Sequence, residues 1–222
     1  INLSESKKAL LVGRLGRRLR VLGLRSYSAY YEYLLENSDD ERQQMLECIT
    51  TNETSFFREP AHFHLLEQVV IPFWREQARE GLRPMTIRAL SAGCATGEAP
   101  YSLAMCLNLG LPRSEGWEVD LVASDLSLDA LASARHGVYP LEEASDIPER
   151  FLTRFMLKGA GAESGKMQVG RELRSTVRFG RLNLTSHSYG FPHQFDLIFC
   201  RNVLIYFTEA GRAGVVSRLI DL

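Results

Sequence analysis

The chain has 222 residues, 45% of them hydrophobic and 24% charged, and its 26 Lys and Arg against 27 Asp and Glu leave a formal net charge of −1. This composition is typical of a globular protein with one substantial domain and a small one. It argues against a strongly basic nucleic-acid-binding protein. No apolar run approaches the ~20 residues that a membrane-spanning helix requires. We therefore expect no membrane insertion and no nucleic-acid partner.

The four cysteines are scattered and form no CxxC pair, which is typical of reduced thiols in a cytoplasmic protein. No secretory signal opens the chain. His62 and His64 are two residues apart, a spacing that suits neither one helix face nor a tetrahedral zinc site, so we expect no metal. The chain begins without Met and stops inside an amphipathic run at residues 215–220. We therefore expect the protein to continue beyond these ends.

An amphipathic helix is predicted over residues 6–25. Four leucines recur on one face at helical spacing beside a basic stripe, and Gly23 is expected to end the helix. The four leucines of this helix are Leu11, Leu15, Leu19 and Leu22, and its basic residues are Lys7, Lys8, Arg14, Arg17, Arg18, Arg20 and Arg25. Two further helices are predicted over residues 27–35 and 39–49. We predict a small all-helical domain over residues 1–48 and a second domain over residues 49–222.

Short apolar strands alternate with helices from about residue 86 onward. This alternation predicts an α/β fold, a parallel sheet with helices on its faces. Residues 140–175 interrupt it with a glycine-rich turn and an alternating pattern, which predict a small antiparallel insertion. The predicted strands are 86–91, 119–124, 177–182 and 195–200, and the predicted helices are 100–109 and 126–135.

The stretch SAGCATGE at residues 91–98 follows the first of these strands. Its small residues, Gly93 among them, let a ligand approach the backbone closely, and the next helix offers free N–H groups. The glycine spacing is neither the GxGxxG of NAD enzymes nor that of a P-loop. Glu98 would repel a phosphate but suits a ligand with an ammonium group. A tight turn with a solvated Glu98 is the alternative.

Two further strand ends also carry polar residues. Asp125 can accept hydrogen bonds from both hydroxyls of a ribose, as acidic residues at this place do. It could instead cap the following helix, a role that Ser127 can equally fill. Arg201 and Asn202 follow the strand at 195–200. Together the three ends indicate a ligand with an amino acid moiety, a ribose and no phosphate, which describes S-adenosylmethionine.

Four motifs resemble those of the CheR-type chemotaxis receptor methyltransferases: TTNETSFFREP (50–60), SAGCATGEAPYSLAM (91–105), ASDLS (123–127) and FDLIFCRNVLIYF (195–207). The resemblance covers nearly all of the chain. It implies a helical N-terminal domain and a Rossmann-like methyltransferase domain with a small inserted β-subdomain. It also implies transfer of the methyl group of S-adenosylmethionine to receptor glutamates, which leaves S-adenosylhomocysteine.

The same resemblance implies site residues. Glu98 should meet the methionine amino group, Asp125 the ribose, and the pair 183–184 the adenine. Tyr206 should face the methyl-transfer centre, unless it is a packing aromatic. Arg58 and Arg201 are available to steer a substrate carboxylate, although Arg201 could instead pair with a structural carboxylate. The chain departs from the family at Ala99, where a second Glu is usual, and in ending at Leu222. By motif match the cofactor-binding residues are Asn52, Thr54, Arg58, Gly93, Glu98, Asp125, Asn183, Leu184 and Asn202, and the catalytic residues are Arg58, Arg201 and Tyr206.

The basic stripe of the first helix has three interpretations: a solvated face, a nucleic-acid contact and a docking surface for an acidic receptor helix. The resemblance favours docking. The loop Gly159-Ala160-Gly161 resembles one through which some family members bind a receptor's C-terminal tail peptide. We expect a cytoplasmic monomer whose partners are methyl-accepting chemotaxis receptors. The predicted docking residues are Arg14, Arg17, Arg18 and Arg20.

Three other functions compete with receptor methylation. A signalling adaptor would bind the cofactor or its product without turnover, and Ala99 leaves that open. The FCRN motif and the absence of a [DN]PP[YF] motif argue against a methyltransferase for a small molecule or a nucleic acid. The glycine spacing argues against a dinucleotide dehydrogenase.

Overall fold

The computed structural model describes residues 8–222 of the chain, except for the side chains of residues 38 and 39. The predicted start of the first helix, with Lys7, lies outside the described residues. Within residues 8–222, no helix is both long and apolar enough to cross a membrane.

Three helices form the N-terminal region, as predicted. They are α1 (Lys8–Leu22), α2 (Tyr27–Glu36) and α3 (Ser38–Ile49). α1 ends at Gly23, which has a φ of +69°, a left-handed conformation that glycine adopts without strain. α1 and α2 both contact α3, and Leu19 on the apolar face of α1 is buried. The predicted amphipathic helix therefore packs by its leucine face.

An interrupted helix, to which no sequence prediction applies, follows this region. It consists of α4 (Ala61–Leu65), a π-helical segment (Leu66–Val70) and α5 (Ile71–Arg79). Pro72 has no N–H, so the usual bond to the carbonyl four residues earlier cannot form there. The Ile71 N–H bonds to the carbonyl of Leu66, five residues earlier, as in a π-bulge.

Seven strands follow: β1 (Thr86–Ala92), β2 (Glu118–Asp125), β3 (Val138–Pro140), β4 (Met156–Lys158), β5 (Lys166–Val169), β6 (Val177–Arg181) and β7 (Leu197–Cys200). Four of them form a parallel sheet in the order β6-β2-β1-β7. Ala92 lies beside Ser124 on one side and Cys200 on the other. The carboxyl ends of these strands are therefore level, and the loops that follow them meet at one edge of the sheet.

Both faces of the parallel sheet are buried. Ile87 and Ala89 of β1 lie in a core with the first helix after β1. Leu90 and Ala92 lie in a second core with the last helix, because successive strand residues point to opposite faces. The predicted α/β fold is confirmed. The helices of this region are α6 (Glu98–Gly110), α7 (Leu128–His136), α8 (Glu149–Phe155), α9 (Arg171–Ser175) and α10 (Glu209–Ile220).

The predicted antiparallel insertion is also confirmed. It forms a sheet in the order β3-β5-β4, with α8 between β3 and β4. Tyr139, Phe151 and Met167 of this insertion belong to the larger core of the main sheet. The subdomain therefore packs onto the core of the parallel sheet. Short 3₁₀ turns lie at Arg113–Glu115, Leu141–Asp146, Gly161–Glu163 and Leu204–Tyr206.

Candidate active site

A cavity of about 400 Å³ opens at the carboxyl ends of the parallel strands. Residues after β1, β2, β6 and β7 line one part of it, and residues between 46 and 63 line another. Open α/β sheets bind ligands at this edge, and the volume is typical of a small-molecule site. Of the eleven residues predicted to bind the cofactor or act in catalysis, all but Glu98 line the cavity: Asn52, Thr54, Arg58, Gly93, Asp125, Asn183, Leu184, Arg201, Asn202 and Tyr206.

The loop after β1 requires glycine at position 93. Gly93 has a φ of +75°, and a Cβ atom there would lie 3.0 Å from Cβ of Val203. The N–H groups of Gly93 and Cys94 both donate to the carbonyl of Ser124, at 2.8 and 2.9 Å. The loop is thus tied to the end of β2, and its backbone is exposed to the cavity, as the sequence predicts for a close-approach loop.

Asp125 closes β2 and is held in place by two backbone N–H groups. Its Oδ2 accepts from Ala95 at 2.8 Å and its Oδ1 accepts from Ser127 at 3.0 Å. The helix cap is Ser127, whose Oγ accepts from the Ala130 N–H. Asp125 is therefore not the helix cap. Each of its oxygens keeps a lone pair for a ligand in the cavity.

Glu98 lies in the first turn of α6 with 5% of its surface exposed. Both of its carboxylate oxygens accept from the Thr96 hydroxyl, at 2.8 and 2.7 Å. Burial raises the pKa of Glu98 to about 7, against the opposing effect of that hydrogen bond. Glu98 is therefore not a solvated turn residue. It does not line the cavity, whereas its neighbours Ala95 and Ala99 do.

The segment at residues 50–60 is anchored by two buried phenylalanines. Phe56 contacts Tyr139 edge-on, and Phe57 stacks on Phe151 with ring centroids 5.0 Å apart. The Phe57 N–H donates to the Ser102 hydroxyl at 3.0 Å. With the aromatic pair inside the core, the polar residues on either side of it face the cavity.

Arg201 pairs with a carboxylate of the protein, which was one of the two sequence-based alternatives. Its guanidinium forms an ion pair with Glu59 and contacts the ring of His62. Asn202, at a φ of +56°, donates to the same Glu59 carboxylate at 3.3 Å. Burial, followed by the positive charge of Arg58, lowers the pKa of Arg201. Arg201 also lines the cavity. Its ion pair with Glu59 therefore does not remove it from the site.

Glu59 is not among the site residues predicted from the sequence. It belongs to the quoted motif at residues 50–60, and its φ of +60° is unusual for a non-glycine residue. Its position next to Arg58 was the only feature of the sequence that could have identified Glu59 as a site residue. The partnership with Arg201 depends on how the chain folds.

The loop after β6 contributes Asn183 and Leu184. The Asn183 Oδ1 accepts from the N–H and hydroxyl of Thr185, at 3.0 and 2.8 Å, so its side chain stabilises the turn. Leu184 is buried and offers an apolar surface to the cavity. Tyr206 ends the 3₁₀ turn after β7 and lines the cavity.

Two of the four predicted docking arginines have intramolecular partners. Arg18 forms a two-pronged ion pair with Glu41, at 2.6 Å for its shortest contact, and Tyr30 donates to the same carboxylate at 2.7 Å. These partners hold the pKa of Glu41 below its usual range. Arg14 donates to the carbonyls of residues 49 and 50, at 2.8 and 3.1 Å. Arg17 and Arg20 are exposed.

Sequence comparisons place both regions of the chain in one family. Residues 52–222 match the family model described as "CheR methyltransferase, SAM binding domain", where SAM is S-adenosylmethionine. Residues 1–50 match the model described as "CheR methyltransferase, all-alpha domain".

Three proteins illustrate the similarity. Chemotaxis protein methyltransferase 2 of Pseudomonas aeruginosa is 39% identical over 222 residues, which cover 100% of this chain and 76% of that protein. The chemotaxis protein methyltransferase of Salmonella typhimurium is 38% identical, covering 100% of this chain and 74% of that protein. The chemotaxis protein methyltransferase of Borreliella burgdorferi is 34% identical, covering 98% of this chain and 76% of that protein. The chain therefore belongs to the CheR methyltransferase family, and its second region is an S-adenosylmethionine-binding methyltransferase domain.

Proposed function

We propose that this protein transfers the methyl group of S-adenosylmethionine to glutamate side chains of methyl-accepting chemotaxis receptors. The products are glutamate methyl esters and S-adenosylhomocysteine. The observation that carries the proposal is the cavity at the strand ends. It combines a carboxylate, Asp125, with the cationic side chains of Arg58 and Arg201 in one site.

The cavity residues fit S-adenosylmethionine in charge and size. Carboxylates suit its ammonium group, its sulfonium and its ribose hydroxyls, and the backbone at Gly93 allows close approach. We assign the ribose to Asp125 and the adenine to the apolar wall at Leu184. We assign the ammonium group to Glu98, which does not itself line the cavity but is the neighbour in sequence of Ala99, which does. The full proposed cofactor set is Asn52, Thr54, Arg58, Gly93, Glu98, Asp125, Asn183, Leu184 and Asn202.

The proposed reaction needs no general base. A glutamate side chain has a pKa near ~4.3 and is already ionised at neutral pH. One carboxylate oxygen forms a bond to the methyl carbon as the bond from that carbon to sulfur breaks, and no proton moves. When bound, the cofactor supplies an electrophilic methyl group on a positively charged sulfur.

The contribution of the protein is therefore alignment, which can lower such barriers by about 7–11 kcal/mol. Arg58 and Arg201 steer the substrate carboxylate by charge. Tyr206 donates a hydrogen bond to it. Arg201 does so while also paired with Glu59, since a guanidinium has five N–H donors.

Receptor docking is assigned to the N-terminal helical domain, residues 1–48, and catalysis to residues 49–222. Arg17 and Arg20 are the better candidates for direct contact with an acidic receptor helix, because they are exposed. Arg14 and Arg18 would act by holding the helices together. We also propose that the loop at 159–161 binds a receptor's C-terminal tail peptide and that the protein acts as a cytoplasmic monomer.

The test is methyl transfer from labelled S-adenosylmethionine to receptor-containing membranes, with Asp125→Ala as the inactive control. Label that mild base releases from the receptor identifies carboxyl methyl esters. Cofactor binding without any label on the receptor would replace the proposal with the adaptor function. Base-stable label would exclude glutamate as the acceptor.

A further inference from the structure

A carboxylate of the N-terminal helices contacts the turn that follows β2. Glu47 lies in the last turn of α3 and is half-buried. The Leu128 N–H donates to its Oε1 at 2.7 Å, and the Ser127 hydroxyl donates to its Oε2. Glu47 therefore supplies an acceptor to the first N–H of α7 from a different region of the chain, beside the cap residue Ser127.

This contact satisfies groups that otherwise lack partners. The Leu128 N–H belongs to the first turn of α7, where N–H groups have no acceptor within the helix. The Ser127 Oγ accepts from the Ala130 N–H at 3.0 Å and donates to Glu47. Ser127 is 1% exposed, so water cannot readily replace a lost partner. A carboxylate at a helix N-terminus is also favoured by the helix dipole.

The same turn holds Asp125. The Ser127 N–H donates to Asp125 Oδ1 at 3.0 Å, and the Ala95 N–H donates to Oδ2 at 2.8 Å. A chain of hydrogen bonds thus runs from Glu47 through Ser127 to Asp125 and then to the loop after β1. Asp125 lines the cavity, whereas Glu47 and Ser127 do not.

We infer that Glu47 is a positioning residue for the S-adenosylmethionine site, acting through Ser127 on Asp125. The inference rests on the proposed role of Asp125 in cofactor binding. Without Glu47, the Ser127 hydroxyl and the Leu128 N–H lose their acceptor, and the turn that orients Asp125 loses its attachment to α3. Cofactor affinity then falls although no group that touches the cofactor has changed.

The test is the dissociation constant for S-adenosylhomocysteine, measured by titration calorimetry on the folded protein. Glu47→Ala is expected to raise it about tenfold, the equivalent of one charge-assisted hydrogen bond. Glu47→Gln is expected to restore affinity to within about threefold, because an amide oxygen still accepts from Leu128. Glu67→Ala is the matched control. It removes an ion pair with Arg150 at 2.7 Å and should leave the affinity unchanged.

A double-mutant cycle separates positioning from general destabilisation. Adding Glu47→Ala to Asp125→Ala should weaken binding no further, because Glu47 acts through Asp125. Equal weakening in both backgrounds would overturn the inference. So would an unchanged affinity in Glu47→Ala when Asp125→Ala weakens binding. If Asp125→Ala itself has no effect, the proposed ribose role fails, and the inference with it.

Thermal unfolding of each variant shows whether it is folded at the assay temperature. Should Glu47→Ala not be folded, Ser127→Ala interrupts the same chain of bonds at its next member. Ser127→Ala is expected to weaken binding several-fold, and an unchanged affinity would overturn the inference.

Discussion

The guanidinium of Arg201 pairs with the carboxylate of Glu59, and this pair joins the segment at residues 50–60 to the end of β7. Asn202 donates to the same carboxylate. Glu59 thereby holds two adjacent cavity residues, one of which we assign to catalysis and the other to the cofactor. It also balances part of the positive charge of Arg201.

Replacing Glu59 should affect activity more than stability. The side chains of Arg201 and Glu59 are 23% and 45% exposed, and ion pairs exposed to that degree contribute about 0–1 kcal/mol to stability. We expect Glu59→Ala to lower kcat/KM about tenfold, because Arg201 and Asn202 lose their common anchor. Glu118→Ala is the control, since Glu118 is an exposed residue at the opposite end of β2. Equal kinetics in both variants would contradict the anchoring role.

Glu98 should make the stability of the ligand-free protein depend on pH. Its pKa rises from 4.5 to about 7 on folding, so between these values the folded protein binds more protons than the unfolded chain. The free energy of unfolding should therefore fall by about 3 kcal/mol as the pH rises from 4.5 to 7. Glu98→Gln should remove that slope, as measured by urea unfolding at several pH values.

A second variant checks the cause of this pH dependence. The Thr96 hydroxyl stabilises the ionised form of Glu98, so Thr96→Val should extend the fall in stability to higher pH. An identical pH profile in wild type and Glu98→Gln would show that Glu98 does not carry the effect.

Gly93→Ala should destabilise the protein and weaken cofactor binding. The new methyl group would meet Val203 at 3.0 to 3.2 Å at a φ of +75°, which combines backbone strain with crowding. We expect a loss of about 1–3 kcal/mol, measured by chemical unfolding, and a higher dissociation constant for S-adenosylhomocysteine. Gly180→Ala is the matched control, because no atom lies within 4 Å of the position of its added Cβ. Similar losses in both variants would contradict the close packing at Gly93.

The arginines of α1 should separate into two classes. Arg17→Ala combined with Arg20→Ala should raise the KM for receptor while leaving stability and cofactor affinity unchanged, since both side chains are exposed. Arg18→Ala should instead lower the free energy of unfolding by about 3–5 kcal/mol, because it leaves the carboxylate of Glu41, which is 2% exposed, without its guanidinium. Receptor titrations give the KM and urea unfolding gives the free energy of unfolding, and together they distinguish the two classes of arginine. A receptor KM that does not change in the double variant would remove α1 from the docking surface.

Much of this site could be predicted because its residues follow strand ends. Gly93, Asp125 and Asn202 each lie at the carboxyl end of an apolar strand or within two residues of it, and parallel strands bring their carboxyl ends to one edge of a sheet. The alternation of apolar strands and amphipathic helices is visible locally, since it depends on spacing along the chain. The π-helical segment was missed because one proline signals a break without specifying the hydrogen-bond pattern around it.

The sequence by itself determined the family, the strand–helix order, the cavity-forming loops and ten of the residues that line the cavity. These features are encoded by local spacing, side-chain size and motif order. Only the tertiary structure decided that Arg201 pairs with Glu59, that Arg18 is paired with Glu41, and that Glu98 is buried. The reason is physical: such partnerships join residues that are distant in sequence, and they depend on how whole elements pack. Local sequence patterns do not predict that packing.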